Sequence, residues 1–447
     1  MSTKIKVYFK KTIRFLDFYP SMPTPEASMS DAHTPLIDWH RSRNATFGSF
    51  GGFRMPLWYQ SAKQEHLAVL TGAGVFDTSH MSAIRVQGPG AFDLLENCFS
   101  NHLDACLGPA KKPLVPGRCV YGVFLTPKGH VVDDAICFML AGGDYMVVVN
   151  AGMGGLISAH LEAHAEGIEA KVLSLDGAFG KLDVQGPRSA KILAAVIDDA
   201  DRVFERLPYF AFKGGFPGLP SDTMPVTIDG EVPILLSRTG YTGEFGFEIF
   251  TAVEAVQTAW ERIMGVGESL NACPCGLAAR DSLRVGAVLP LSHQDIGDWP
   301  FVRHPWPFAL PWTEDGRSFT KPFVGARALL DAVDADYTYP IVGDDLRKVS
   351  LPAAVLDGSG TAVGDVLTCV TDMGIDRHGG RRISVASPDR PASFVPKGLC
   401  CGFVRVREAM EEGNRIELKD KRRRIRATIV RDLRPDRTAR RPIREML

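Results

Sequence analysis

The sequence predicts an α+β protein made of two related lobes followed by a small all-β barrel. Strand patterns and helix patterns alternate through the first three quarters of the chain at a spacing that excludes a doubly wound sheet. The tetrapeptide VQGP occurs twice, at Val86–Pro89 and Val184–Pro187, each time between a strand pattern and a helix pattern. From about residue 340 helical patterns thin out, and short strands alternate with glycine turns in the manner of a barrel or sandwich.

The elements follow in order from local chemistry. "EHLAVLTGAGVFD" reads as a short helix and a glycine turn, and "AIRVQG" alternates like a strand. "GPGAFDLLENCF" has helical periodicity with a proline near its start. "RCVYGVFLTPKGHVVDDAICFML" is a hairpin turning at "TPKG", followed by the strand "DYMVVVN" and the helix "GGLISAHLEAHAEG". "GKLDVQGPRSAKILAAVI" repeats the strand, Gly-Pro, helix order, which points to an internal duplication. "AVDADYTYPIVGDD" reads as a linker into the barrel strands "AAVLD", "VGDVLTCV", "LCCGFVRV" and "RIELK". The stretch 419–447 has twelve basic and four acidic residues. It is expected to be a solvated strand face with a loose tail, with recognition of an anionic partner as the alternative.

Composition narrows the function. The 51 basic and 52 acidic side chains leave a net charge of −1, which speaks against nucleic acid as the main partner. No apolar run is long enough to span a bilayer. Nine cysteines are scattered without a CxxC pair, so reduced structural thiols are expected. The first residues are basic and acid-poor like a weak transit peptide, but lack the apolar run of a secretory signal. Residues 1–32 are expected to be an unstructured extension, with Met22 or Met29 as the native start.

Several catalytic patterns fail. "HLEAH" puts His160 and His164 four apart on a helix, but Glu162 is not where a zinc protease needs its acid, so no metal is expected. "VVVNAGMGGL" lacks the glycine spacing of a dinucleotide loop. No phosphate-binding loop or nucleophile elbow is present. What remains is a set of polar residues at strand ends. Asp133 and Asp134 are neighbours on a strand, so one is expected to face inward, where a carboxylate is costly unless paired or reactive. Asn150 ends the next strand, and Arg280 and Arg284 share a helix face on which a ladder to nearby acids is the simpler reading.

"SRTGYTGEFGFEI" then resembles the signature of the aminomethyltransferases, the T-protein of the glycine cleavage system and its tetrahydrofolate-dependent relatives. Further similar segments run in order: "TPLIDWH", "EHLAVLTGAGVFDTSHM", "GHVVDD", "VVVNAG", "LDVQGP", "PCGLAARDSLR" and "FVGARAL". The resemblance covers roughly residues 33–430. It implies a ring-like cloverleaf of three domains, with a folate-binding region over 33–335, a barrel over 340–435, and folate in a central cavity. It implies that Asp134 is the catalytic carboxylate beside the folate amine and that Asn150, Tyr241, Glu248 and Arg280 line the folate site. Tyr121 is expected to face the same cavity. Glu248 would accept the paired N–H donors of the pterin edge, and the glycines beside Tyr241 would let backbone approach a flat ligand. The implied reaction moves the one-carbon unit of an aminomethyl group, carried on the lipoyl arm of H-protein, to tetrahydrofolate with release of ammonia.

The departures concern the donor. Where the family reads "RLEAGxxLYGHDI", this chain has "RVGAVLPLSHQDI", with Gly286 for the acid and Ser292-His293-Gln294 for the Tyr-Gly-His run. The tryptophan- and proline-rich "GDWPFVRHPWPFALPW" follows. An aromatic-lined pocket there would suit a tetrahydrofolate-dependent demethylase of a small methyl donor, which stands as the alternative. A non-catalytic folate-binding protein is the third reading, disfavoured by the presence of Asp134. A bacterial cytosolic location is expected, or the mitochondrial matrix for a eukaryotic chain.

Overall fold

The computed structural model describes residues 32–447, and the expectations for the N-terminal extension and its start codons lie outside them. The described chain forms three large sheet bodies beside two two-stranded pairs, Thr46–Phe50 with Phe53–Trp58 and Ile375–His378 with Arg381–Ser384. The first is a five-stranded antiparallel sheet in the order Cys119–Leu125, Val131–Ala141, Asp144–Val149, Ser82–Gln87, Lys171–Ser174. The "TPKG" turn closes its first hairpin: Thr126 and His130 pair at 2.9 Å, and Gly129 takes a positive φ of 76°. Helices Ala91–Cys98 and Gly154–Ala163 bury Leu94, Leu95, Ile157 and Leu161 against Ile84, Phe124 and Val147.

The second body is a seven-stranded sheet. Its main path is Phe212–Gly214, Val232–Ser237, Gly246–Ala252, Phe179–Gln185, Ala73–Asp77 and Ala272–Pro274, and Val226–Ile228 adds to Val232–Ser237. Helices Ser189–Ala194 and Val256–Ser269 pack on it around Trp260 and Ile263. The VQGP copies occupy equivalent places. Each ends a strand, each glycine has φ near +120° (124° at Gly88, 122° at Gly186), and each is followed by a helix. A Cβ would meet Glu169 O at 2.7 Å in the first copy and Val69 O at 2.5 Å in the second, so both positions need glycine. This is what a duplication predicts.

The third body is a closed barrel in the order Tyr337–Gly343, Leu399–Val406, Ala362–Asp372, Ala354–Leu356, Arg415–Lys419, Arg424–Ile429. Two expectations fail here. The "YTYPIVG" segment is not a linker but a barrel strand, paired with Leu399–Val406 on one side and Arg424–Ile429 on the other. Pro340 disguises it, since a proline within a strand normally argues against a central position. Here Pro340 sits opposite Phe403 while its carbonyl still accepts the Val430 N–H at 3.0 Å.

The basic C-terminal stretch is not a loose tail either. Arg434 is fully buried, with Nε 3.0 Å from Glu244 and Nη1 2.6 Å from Asp372. Thr438 donates to Glu244 at 2.6 Å and accepts the Phe245 N–H at 2.9 Å. The last residues therefore join barrel and second sheet. Gly286 is explained by the same pair: a Cβ there would lie 1.9 Å from the Asp372 carboxylate and 2.5 Å from Arg434.

Candidate active site

A cavity of about 2240 Å³ opens between the three bodies, lined by residues of all of them. Pockets for single small ligands are usually below about 1,000 Å³. This one has room for a second reactant.

All six residues singled out in the sequence line it: Tyr121, Asp134, Asn150, Tyr241, Glu248 and Arg280. They fall into two corners. The first is built on the hairpin Cys119–Leu125 and Val131–Ala141. Tyr121 donates its hydroxyl to Asp134 Oδ2 at 2.9 Å, and the Asn150 amide donates to Asp134 Oδ1 at 2.6 Å. The same amide reaches Asp133 Oδ1 at 2.8 Å, and the Asn150 N–H reaches Asp133 Oδ2 at 2.9 Å. The two acids divide as strand alternation predicts, one toward the core and one toward the cavity. Asp133 is wholly buried, Asp134 is partly exposed to the cavity, and Asn150 at the end of the adjacent strand clasps both.

Burial, opposed only by neutral donors, pushes Asp133 up to about 6. Burial and the adjacent Asp133 charge push Asp134 up to about 7. His293 Nε2 lies 3.8 Å from Asp133, and burial lowers this imidazole's pKa. Its φ of 62° is a conformation that favours glycine, the residue the family pattern carries at this position.

The second corner is built on the paired strands Phe179–Gln185 and Gly246–Ala252, where Glu248 lies opposite Asp183. Lys181 is buried, with its ammonium 2.6 Å from both Asp183 and Glu248. Thr239 donates to the other Glu248 oxygen at 2.5 Å, and Arg280 donates to Asp183 at 2.5 Å. Burial alone would raise Asp183, but the Lys181 and Arg280 charges outweigh it and hold the carboxyl at about 2. The Arg280 guanidinium stands 5.0 Å over the Tyr241 ring, and the Tyr241 hydroxyl is tied to the Pro290 carbonyl.

Glu248 is therefore already engaged by Lys181 and Thr239. Each oxygen keeps one lone-pair direction beyond its present partner, which still permits it to accept two donors. Lys181 and Asp183 were missed. Their signal was two charged residues at i and i+2 in "FGKLDVQ", sharing one face of a strand that is otherwise core.

Among the turn glycines, a Cβ on Gly240 or Gly246 would strike the Gln185 side chain, at 2.1 and 2.6 Å. Gln185 bonds the Thr239 and Phe247 carbonyls and accepts from Thr242. Gly240 and Gly246 thus make room for a buried amide, while Gly240 and Gly243 also line the cavity.

Residues 36–299 match the family model described as the GCVT N-terminal domain. The aminomethyltransferase of Streptomyces coelicolor is 36% identical over 372 residues, covering 81% of this chain and 90% of the relative. The chain belongs to the aminomethyltransferase family. The aminomethyltransferase of Staphylococcus carnosus is 31% identical over 405 residues, covering 89% of this chain and 96% of that one. The glycine cleavage system aminomethyltransferase T from Bartonella henselae has a similar structure, with a TM-score of 0.71 at 27% identity over 92% of this chain and 99% of the other. Family membership makes this protein an enzyme, a one-carbon transferase. No helix among the described residues is long and apolar enough to cross a membrane.

Proposed function

We propose that this aminomethyltransferase takes the one-carbon unit of an aminomethyl group on the lipoyl arm of an H-protein and passes it to tetrahydrofolate, releasing ammonia. The observation that carries the reading is the Asp133–Asp134–Asn150–Tyr121 cluster, a carboxyl raised to about 7 at the wall of a cavity wide enough for two reactants. When bound, tetrahydrofolate supplies the amine nucleophiles that capture the one-carbon unit.

The chain's own groups have separable tasks. Asp134, near neutral in its pKa, takes or gives a proton at its cavity-facing carboxyl and, once ionised, stabilises positive charge at the reacting carbon. Asn150 and Tyr121 hold that carboxyl in place and have no net charge to neutralise it. Glu248 accepts N–H donors from the pterin edge, with Lys181, 2.6 Å away, holding its side chain in place. Tyr241 with Arg280 gives a flat, cationic wall.

The test is incubation with aminomethyl-loaded H-protein and tetrahydrofolate. Ammonia should be released in a folate-dependent manner together with the methylene form of the folate. Formation of the methyl form, or no folate-dependent ammonia, overturns the reading.

A further inference from the structure

We propose that Cys98, His160 and His164 form a binding site for a divalent cation of the zinc class, outside the reaction cavity. The sequence pattern "HLEAH" lacks a third ligand; the fold supplies it from another helix. Helix Ala91–Cys98 packs beside helix Gly154–Ala163, whose last turn carries His160 and is capped by His164. One thiol sulphur and one nitrogen from each imidazole then lie within 4.8 Å of one another. Tetrahedral zinc with sulphur at about 2.3 Å and nitrogen at about 2.0 Å sets its ligand atoms roughly 3.5 Å apart. Closing the site needs an inward movement of about 1 Å, which side-chain rotation supplies.

Two further observations point to a ligand. His160 Nε2 is buried and makes no hydrogen bond, in a side chain only 8% exposed. A polar atom in that condition is costly unless something binds it. His164 Nδ1 lies 2.8 Å from the His160 carbonyl, which can only accept, so Nδ1 carries the proton and Nε2 keeps its lone pair. Donating the second ring N–H to a backbone carbonyl is the usual arrangement of a metal-bound histidine. The two rings stand 4.8 Å apart, and Phe124 meets His160 edge-on at 5.9 Å, giving an apolar shell on the inner side.

One thiolate and two imidazoles select zinc over magnesium or calcium, which prefer oxygen ligands. His164 is partly exposed, so a water can complete a fourth position from that side. Binding displaces the Cys98 thiol proton to solvent and moves no electrons. None of the three residues lines the cavity, so the site's role is to tie two helices of the first lobe together.

The experiment uses the full chain, stripped with a chelator and titrated with cobalt(II). We expect saturation near one equivalent, a thiolate-to-cobalt charge-transfer band, and displacement by zinc. C98S should lose the band. H164Q, at the partly exposed position, should fold normally by circular dichroism yet bind more than about 100-fold more weakly, beyond the loss an outer-shell partner causes. Zinc should raise the Tm of the wild-type chain and leave that of H164Q unchanged. A wild-type titration without the band, or equal binding by wild type and H164Q, overturns the site. Folate-dependent ammonia release should be the same in both chains, so this result stands apart from the proposed reaction.

Discussion

Two corners of one cavity hold buried carboxylates and treat them oppositely. Around Asp133 and Asp134 the partners are an amide, a phenol and a neutral imidazole, and among the described residues no lysine or arginine is paired with either acid. Around Asp183 and Glu248 stand Lys181 and Arg280. Burial raises both Asp134 and Asp183, and Asp183, the more deeply buried of the two, is nevertheless the one held low, so the cations decide the outcome. One acid is poised near neutrality, at about 7, and the other is fixed as an anion, at about 2. A carboxyl that must exchange a proton benefits from the first setting, and one that must present constant charge to a ligand benefits from the second.

The contrast can be broken at several points. The largest effect is expected for D134N, which keeps the shape and removes the titrating charge: kcat should fall by about 10³-fold, while folate affinity by equilibrium titration stays within a few-fold. K181M attacks the other corner. It leaves Asp183 and Glu248 short of a buried cation, and denaturant unfolding should show a loss of about 3 kcal/mol together with weaker folate binding.

The two acid settings also differ in how legible they were. Asp134, Asn150, Tyr121, Tyr241, Glu248 and Arg280 all reach the cavity, as their strand-end positions and the family signature imply. The duplication was legible because each VQGP glycine answers to a steric need, with φ near +120° and a carbonyl within 2.7 Å of a notional Cβ. What stayed hidden was long-range. Arg434 meets Glu244 across 190 residues, Lys181 meets Glu248 across 67, and Cys98 meets His160 and His164 between two helices. Such pairs leave no local pattern. Pro340 failed for a different reason, because a local rule was applied where the register excused it.

Smaller changes sharpen the comparison. D134N should unfold less readily than the wild type on the alkaline side of neutrality. Its parent carboxyl has a folded pKa above the unfolded one, so ionisation lowers stability progressively from the ordinary carboxyl range up through about 7. The gain should be about 1–3 kcal/mol in the alkaline limb and should vanish in acid, as read from urea midpoints across pH. Y121F is expected to be milder still. It removes one donor to the Asp134 carboxylate, which costs about 1 kcal/mol and raises that pKa, so the acid limb of the kcat profile moves to higher pH.

The most direct test is a pH titration of the carboxyl band by infrared difference spectroscopy, comparing the wild-type chain with D134N. The account predicts a carboxyl that ionises near 7 in the wild type and is missing from D134N. If every wild-type carboxyl has ionised by about the ordinary Asp and Glu range near 4, the uncompensated corner does not exist in solution and the account is contradicted.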